Sequence, residues 1–292
     1  MPIETHIPAD ELNIKDLSLE TPESKERDFD ALKEIGSEGW DKIQRHFQDL
    51  LEREERLGER AGSDKLAFCI EVLSPGYFKQ NPISEESWKI LNGEIKKENW
   101  KDTFEAFNDA ETLAYLKIIN PEKFQSSHGS EEFELNLKQL IQDEDWMDVL
   151  QFLARMKIVF PQIQPLTYVN DEQIALMAQA ITQQIERRNT PIKEATNPEK
   201  IGLMLWCYKL LFPNNQGLLN FSNEDRKYLV DDFRKENASD AALAYSVAKK
   251  AAGLKLAFAD ELKVTDRGLE ITTLGLSKLT AQKSPLPETK KF

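Results

Sequence analysis

Histidine and cysteine are the side chains that most often bind zinc or begin nucleophilic catalysis. This chain of 292 residues contains three histidines and two cysteines, namely His6, His46, His128, Cys69 and Cys207. The two thiols form no Cys-x-x-Cys pair, and the sequence has neither a nucleophile elbow nor a phosphate-binding glycine loop. The sequence therefore predicts no metal site and no cofactor.

Carboxylates are so abundant that many acid pairs can be imagined as a catalytic site, and abundance alone selects none of them. Residues 52–60 mix glutamate and arginine at spacings of three and four residues, which is typical of ion pairs on a solvated helix. We therefore expect no enzymatic activity. An enzyme with a dispersed site is an alternative, and a buried acid cluster in a concave pocket would support it.

A lysine recurs in four similar apolar stretches of the chain, at Lys117, Lys157, Lys209 and Lys255. If these stretches stack, the four ammonium groups form a row that could bind an acidic peptide or a phosphate backbone. In a structural interpretation, each lysine lies in the last turn of its helix, near the negative end of the helix dipole. Its stem then covers the core and its ammonium pairs with a carboxylate. The sequence favours this interpretation and keeps the four lysines as candidate binding residues.

Tryptophan and proline mark the same stretches. Trp100 and Trp146 occupy equivalent positions 46 residues apart, and a large apolar residue at a helix junction is typical of packing between layers. Pro121, Pro161 and Pro213 follow three of the lysine stretches. They predict helix ends, because proline disfavours a helical conformation in the residue before it. We interpret these five residues as structural keys of a repeat.

The repeat can be aligned by eye. The segment that begins at Ser84 aligns without gaps with the segment that begins at Ser130, at an offset of 46 residues, and the segment at Ser222 lies 92 residues further along. A fifth apolar stretch, residues 70–75, carries Glu71 in place of the lysine. These offsets indicate about five units with a period of about 46 residues.

Each unit has the pattern of two helices. The first opens with serine or aspartate ahead of glutamate and continues with apolar residues three and four apart. A polar corner such as residues 143–145 joins it to the second helix, and Asn189-Thr190-Pro191 interrupts the unit that fits least well. The predicted fold class is all-α, a right-handed α-solenoid of about five helix pairs. Strand-like alternation in residues 264–271, around Asp266-Arg267-Gly268, allows a small C-terminal β-hairpin.

Units of this length with two helices resemble the HEAT and armadillo class of α-helical repeats, although their tryptophan and lysine-proline pattern differs from that class. The tails of the units, with the Lys255 region running into Val264 to Ile271, are similar to uncharacterised helical-repeat proteins of small-genome bacteria. The resemblance covers about residues 28–272. It implies a fold without an activity, so no catalytic or binding residue follows from it.

The composition bears on partners and location. With 38 basic and 51 acidic side chains, the formal net charge is −13, which repels nucleic acids and anionic membranes unless basic groups segregate onto one face. Cys69 and Cys207 lie in apolar helical stretches, as buried thiols of a reducing compartment do. No apolar run approaches the roughly 20 residues that cross a bilayer, and no secretory signal begins the chain. We expect a cytoplasmic protein.

Three regions follow from these patterns: a flexible N-terminal tail (1–27), the α-helical repeat domain (28–272) and a flexible C-terminal tail (273–292). The leading hypothesis is a non-enzymatic protein–protein interaction module or scaffold whose concave face receives a protein or peptide. A nucleic-acid-binding helical repeat that uses the lysine row is the first alternative, and its binding would weaken steeply with salt.

Overall fold

A computed structural model describes residues 30–58, 61–93, 95, 100–126, 128–186, 198–219, 222–235, 244–259, 261–265 and 268–272. Both predicted tails and the interruption at residues 189–191 lie outside these ranges. The helices are α1 (Ala31–Leu57), α2 (Ser63–Leu73), α3 (Tyr77–Gln80), α4 (Glu85–Gly93), α5 (Thr103–Ile119), α6 (Ser130–Gln142), α7 (Trp146–Val159), α8 (Asp171–Glu186), α9 (Pro198–Leu211), α10 (Asn223–Lys235) and α11 (Ala244–Phe258). Two strands follow, β1 (Glu261–Thr265) and β2 (Gly268–Thr272).

The described chain is helical apart from this one hairpin, which confirms the predicted all-α class. The two strands pair antiparallel with Thr265 opposite Gly268, at the position of the predicted turn. Three helix ends also match their sequence signals. Helices α5, α7 and α9 end at Ile119, Val159 and Leu211, each two residues before a proline that predicted the end. Local sequence therefore determines where these helices end.

The helices form two sets that differ in burial. The second helix of each predicted unit is buried on nearly every side, as in α5, where every residue from Thr112 to Leu116 is buried. The first helix of a unit buries only a stripe, as in α6, where Phe133, Leu137 and Leu140 face inward at spacings of four and three residues. We term α2, α5, α7, α9 and α11 the inner helices.

The inner helices contact one another in chain order, and the last one returns to the first. Helix α2 packs on α5, α5 on α7, α7 on α9, α9 on α11, and α11 on both α2 and α1. An open solenoid has no contact between its first and last units, so the described helices differ from that expectation. Closure buries apolar faces of α2 and α11 that open ends would leave in water.

Helices α9 and α11 make a close backbone contact at two glycines. A methyl group on Gly202 would lie 2.4 Å from the carbonyl oxygen of Gly253 and 2.5 Å from its carbonyl carbon. Only a residue without a side chain permits this contact between two backbones. The pair therefore sets the spacing of α9 and α11. It lies beside the α11–α2 contact that closes the circuit of inner helices.

Candidate functional site

All four candidate lysines lie in the last turn of an inner helix, as the structural interpretation predicted, but Lys157, Lys209 and Lys255 donate to backbone carbonyl oxygens, a partner that the interpretation did not name. Two of them contact groups of their own unit. The Lys157 Nζ donates hydrogen bonds to the carbonyl oxygens of Pro161 and Ile163, the latter at 2.6 Å. The Lys117 Nζ lies 5.4 Å from the centroid of the Phe124 ring.

The other two lysines reach the end of the next inner helix in the circuit. The Lys209 Nζ donates to the carbonyl oxygen of Ala257, and the Lys255 Nζ donates to that of Leu73 at 3.0 Å. Carbonyls at a helix C-terminus have no partner within the helix and carry partial negative charge. These two lysines therefore connect neighbouring units, and Lys255 connects the last unit to the first. A role of the four lysines in binding a partner stays a prediction.

The predicted structural keys have unequal environments. Trp100 is 5 % exposed, and its ring centroid lies 4.4 Å from that of His128 and 4.5 Å from that of Phe133. Trp146, at the equivalent repeat position, is only half-buried. The three prolines are peripheral: Pro121 and Pro161 are half-buried and Pro213 is exposed.

A pocket of about 80 Å³ lies within the circuit of inner helices. Its lining includes residues of both α5 and α9, and α7 lies between these two helices in the circuit. The pocket therefore lies inside the ring of inner helices rather than between two neighbouring helices. Its lining consists of Lys65, Phe68 and Cys69 of α2, Glu111 and Tyr115 of α5, Leu203 of α9, and Lys249, Ala252, Gly253 and Leu256 of α11.

These lining residues occupy equivalent positions of the repeat. Relative to the recurrent lysine, or to Glu71 in the first unit, each lies six, three or two residues before it or one residue after it. Residues with these spacings share one face of a helix. The pocket is therefore built by the same face of four different inner helices.

Glu111 is the centre of the polar contacts in this pocket. Its Oε1 accepts hydrogen bonds from the Arg155 Nη2 at 2.8 Å and from the Tyr115 hydroxyl at 2.9 Å. Its Oε2 lies 2.8 Å from the Lys65 Nζ. The Glu111 and Arg155 side chains are 12 % and 8 % exposed, whereas Lys65 is 43 % exposed. The glutamate and arginine thus form a buried pair, and Lys65 completes it from the more exposed side.

Arg155 belongs to α7 and is fixed by a second set of contacts. Its Nη1 donates to the Phe107 carbonyl oxygen at 3.2 Å, and its guanidinium carbon lies 3.9 Å from the centroid of the Phe107 ring. Planar stacking and a second hydrogen bond suit a guanidinium better than an ammonium. Arg155 is therefore held against Glu111 independently of Lys65.

Burial and neighbouring charges shift the pKa values of Glu111 and Tyr115 further from neutral pH. Burial acts to raise the pKa of Glu111, but the charges of Arg155 and Lys65 outweigh it, so the pKa lies below its usual value. Burial, together with the nearby Glu111 charge, raises the pKa of Tyr115 well above its usual value. At neutral pH, Glu111 is therefore a carboxylate and Tyr115 a neutral phenol.

The two cysteines are buried and neither forms a disulfide, as the sequence predicted. Cys69 lines the pocket, and Cys207 occupies the equivalent position of α9. Burial raises the pKa of the Cys207 thiol to about 12. Because the thiolate is the nucleophilic form, Cys207 is unreactive near neutral pH.

Sequence reasoning missed the pocket residues Lys65, Glu111, Tyr115 and Lys249, and it missed Arg155, which pairs with Glu111. It searched for one residue type that recurs at one position, whereas the pocket combines different types at equivalent positions. A usable signal was present: Glu111 and Arg155 are charged residues inside largely apolar helices, where charge is rarely buried unless it is paired.

Within the described ranges, no three His, Cys, Asp or Glu side chains lie close enough together to hold a metal ion. None of the helices in the described part of the chain combines the length and apolar character needed to cross a bilayer. Comparison with family models, curated proteins and solved structures finds no match for this chain. The likeness to α-helical repeats thus remains a resemblance, and function has to be argued from the site itself.

Proposed function

We propose that this protein binds a small molecule in the central pocket of a ring of five helix-pair repeats. One observation carries the proposal: helices from the start, middle and end of the chain direct equivalent faces at one pocket, where Lys65, Glu111, Tyr115 and Lys249 meet apolar walls. Ligand sites in proteins are typically concave and mostly apolar, with a few polar groups that orient the ligand.

The closed circuit supports a compact ligand over an extended one. Five inner helices, each packed against the next, favour five repeats, while the right-handed sense stays a prediction. An open solenoid offers a long concave face to a peptide. In a ring, the inner faces point at one another, so the inner space suits a compact ligand better than an extended one.

The volume of the pocket limits the size of the ligand. A buried water needs about 10–15 Å³ of such space, so the pocket of about 80 Å³ has room for roughly six non-hydrogen atoms. Ligands of this size bind with at most about 1.5 kcal/mol per atom and usually with much less. We therefore expect dissociation constants in the micromolar to millimolar range.

The protonation states favour binding over proton-transfer catalysis. General acid–base catalysis works best with a group whose pKa is near the working pH. In this pocket the pKa of Glu111 is lowered and that of Tyr115 is raised, so both groups are displaced from neutrality. An enzyme with a dispersed site stays the alternative.

A fragment screen tests the proposal. Ligand-observed NMR with fragments of five to eight non-hydrogen atoms would be run on the wild type and on Leu203→Phe, whose added ring atoms enter the pocket. Leu218→Phe, at an exposed position 48 % accessible to solvent, is the matched control. We expect a subset of fragments to bind the wild type and Leu218→Phe and to lose binding to Leu203→Phe.

Folding of each variant would be checked by circular dichroism and urea unfolding. If every fragment that binds the wild type binds a well-folded Leu203→Phe equally well, the pocket is not a ligand site. The same conclusion follows if no fragment binds the wild type at all.

Interaction with a protein remains a second candidate, because three large apolar side chains are highly exposed. These are Phe104, Leu135 and Leu166, at 71 %, 68 % and 65 %. Replacing all three by serine should reduce capture of a protein partner and leave pocket binding intact.

The nucleic-acid alternative depends on the four recurrent lysines, and the ammonium groups of these lysines already contact carbonyls or a ring within the protein. The two buried thiols, neither of which forms a disulfide, support a reducing, cytoplasmic location.

A further inference from the structure

The cations in and behind the pocket already have partners within the protein. The Lys65 Nζ lies 2.8 Å from the Glu111 Oε2, and the Arg155 Nη2 donates to the Glu111 Oε1. The Lys249 Nζ lies 5.1 Å from the centroid of the Tyr245 ring, a distance at which a cation and an aromatic ring attract each other. A charged ligand would therefore compete with contacts that already exist.

Acidic and basic groups are also nearly balanced in this part of the ring. Asp64 and Asp109 are buried, and the Asp64 Oδ2 accepts a hydrogen bond from the Thr112 hydroxyl at 2.9 Å. The Arg155 charge also acts on Asp148. The charged side chains in and beside the pocket thus have both signs, with Glu111, Asp64, Asp109 and Asp148 against Lys65, Lys249 and Arg155. Neither sign is in large excess, so the pocket suits a ligand without net charge.

One acceptor in the pocket has room for a further donor. An ionised carboxylate can accept about four hydrogen bonds. Among the residues that the structure describes, three groups contact the Glu111 carboxylate: Arg155 and the Tyr115 hydroxyl donate to Oε1, and Lys65 contacts Oε2. Lys65 lines the pocket, whereas none of the described lining residues belongs to α7, the helix of Arg155. Oε2 is therefore the oxygen on the pocket side, and it can accept a second hydrogen bond.

We infer that the pocket binds a small neutral alcohol, an inference that rests on the proposed function. The hydroxyl group of the alcohol donates a hydrogen bond to the Glu111 Oε2. Its hydrocarbon part packs on the apolar wall formed by Phe68, Leu203 and Leu256. A hydrogen bond to an ionised acceptor is stronger than one between neutral groups. Because the alcohol carries no charge, Lys65 keeps its contact with Glu111.

The same oxygen disfavours other ligands of equal size. A carboxylate beside Oε2 would meet a second carboxylate, and an ammonium group there would lie beside the Lys65 ammonium. Like charges at such short range repel strongly in a partly buried site. A ketone has no donor to offer to Oε2. With about 80 Å³ of space, room for roughly six non-hydrogen atoms, cyclopentanol is a suitable probe.

The experiment measures dissociation constants by NMR titration for cyclopentanol, cyclopentanone, cyclopentylammonium and butanoate. All four probes have the same number of non-hydrogen atoms, and the first two share one ring and differ in whether the oxygen donates or only accepts. We expect cyclopentanol to bind about tenfold more tightly than cyclopentanone, because the ketone leaves Oε2 without the additional hydrogen bond. Both charged probes should bind more weakly than cyclopentanol.

Glu111→Gln tests the acceptor directly. Arg155 and Tyr115 both donate to Oε1, so the amide oxygen of the glutamine should face them and its NH₂ group should take the place of Oε2. An NH₂ group donates and does not accept, so this variant should lose the preference for cyclopentanol over cyclopentanone. Glu105→Gln, at an exposed position of the same helix, is the matched control and should keep the preference. Leu203→Phe should lose both neutral probes.

Equal binding of cyclopentanol and cyclopentanone to the wild type would overturn the inference, as would tighter binding of either charged probe. This comparison uses the wild type alone, so it decides the matter even if Glu111→Gln does not fold. A preference for cyclopentanol that persists in a folded Glu111→Gln would also overturn the inference, because the hydroxyl would then have another acceptor.

The failure of the inference is distinguishable from the failure of the proposed function. If cyclopentanol shows no preference or no binding while other fragments bind the wild type and not Leu203→Phe, the pocket is a ligand site for another class of molecule. If no fragment of any kind binds the wild type, both the inference and the proposed function are wrong.

Discussion

The inner helices carry polar residues in two regions, and the two regions differ in how they use the repeat. At the C-terminal ends, lysine recurs in four units and contacts carbonyls or a ring. On the pocket face, two positions of each predicted unit carry residue types that vary among the units. Six residues before the lysine position stand Lys65, Glu111, Gln151, Leu203 and Lys249, and two residues before it stand Cys69, Tyr115, Arg155, Cys207 and Gly253.

The difference has a physical cause. Every helix ends with carbonyls that need donors, so the same residue type suits every unit at that position. The pocket face of each unit meets the other units around one shared space, so its residues must complement one another rather than be alike. In this ring, a recurrent residue indicates a shared structural requirement, and variation on the inward face marks the candidate site.

Substitutions at the tryptophan position test whether a recurrent residue contributes equally to stability in each unit. Their effect on the unfolding free energy should be the largest among the variants described below. Trp100→Ala removes a buried ring that contacts His128 and Phe133, and we expect a loss of about 4 kcal/mol in the free energy of unfolding. Trp146→Ala, at a half-buried site, should lose about 1 to 2 kcal/mol. Urea unfolding measures both values, and equal losses would contradict the difference in burial.

Glu111→Ala tests the pocket face. The change leaves the buried Arg155 guanidinium without its carboxylate, and an uncompensated buried charge should cost about 3 kcal/mol of unfolding free energy. Glu34→Ala is the comparison, since the Glu34–Arg234 pair is more exposed and should contribute about 1 kcal/mol or less. Similar losses for the two variants would mean that the Glu111 cluster is no more buried in solution than a surface pair.

The same cluster has a defined dependence on pH. The folded-state pKa of Glu111 lies below the ordinary value of 4.5, so the stability that its carboxylate contributes is complete above that value. It is lost as the pH falls through the lower, folded-state pKa. The wild type should therefore lose unfolding free energy more steeply than Glu111→Gln below about pH 4.5. Parallel pH profiles would show that this carboxylate does not titrate with folding.

Gly202→Ala tests the close contact between α9 and α11. Overpacking costs about 1–3 kcal/mol, and the contact with backbone atoms of Gly253 places this site at the upper end or beyond. The gain of about 1 kcal/mol in helix propensity is smaller, so we expect a net loss of about 2 kcal/mol. Gly217→Ala meets no atom within 4 Å and should be nearly neutral. A stable Gly202→Ala would mean that the two helices can separate without cost.

The lysine ends should show the smallest effects. Lys255→Gln removes the hydrogen bond to the first unit and should lower the unfolding free energy by about 1 kcal/mol, whereas Lys117→Gln, beside the Phe124 ring, should lower it by about 0.5 kcal/mol. The quadruple variant at Lys117, Lys157, Lys209 and Lys255 should remain helical and retain its partners in a pull-down. If a folded quadruple variant no longer captures these partners, the four lysines have a role in binding and not only in stability.

Sequence patterns predicted the features that depend on near neighbours. The ends of α5, α7 and α9 before their prolines, the last-turn lysines, the buried thiols and the C-terminal hairpin all follow from residues a few positions apart. The sequence predicted the same packing role for Trp100 and Trp146. Their burial differs, because it depends on which other units lie beside each ring.

The sequence by itself determined the all-α class, the ends of three inner helices and their apolar character, because capping, proline stops and apolar spacing act within a few turns. The tertiary structure alone decided that the last inner helix meets the first and that Lys65, Glu111 and Lys249 line one pocket, with Arg155 paired to Glu111. A small rotation between successive units accumulates along the chain, and only its sum decides whether the ends meet. No local pattern encodes that sum, so the pocket could be identified only from the folded chain.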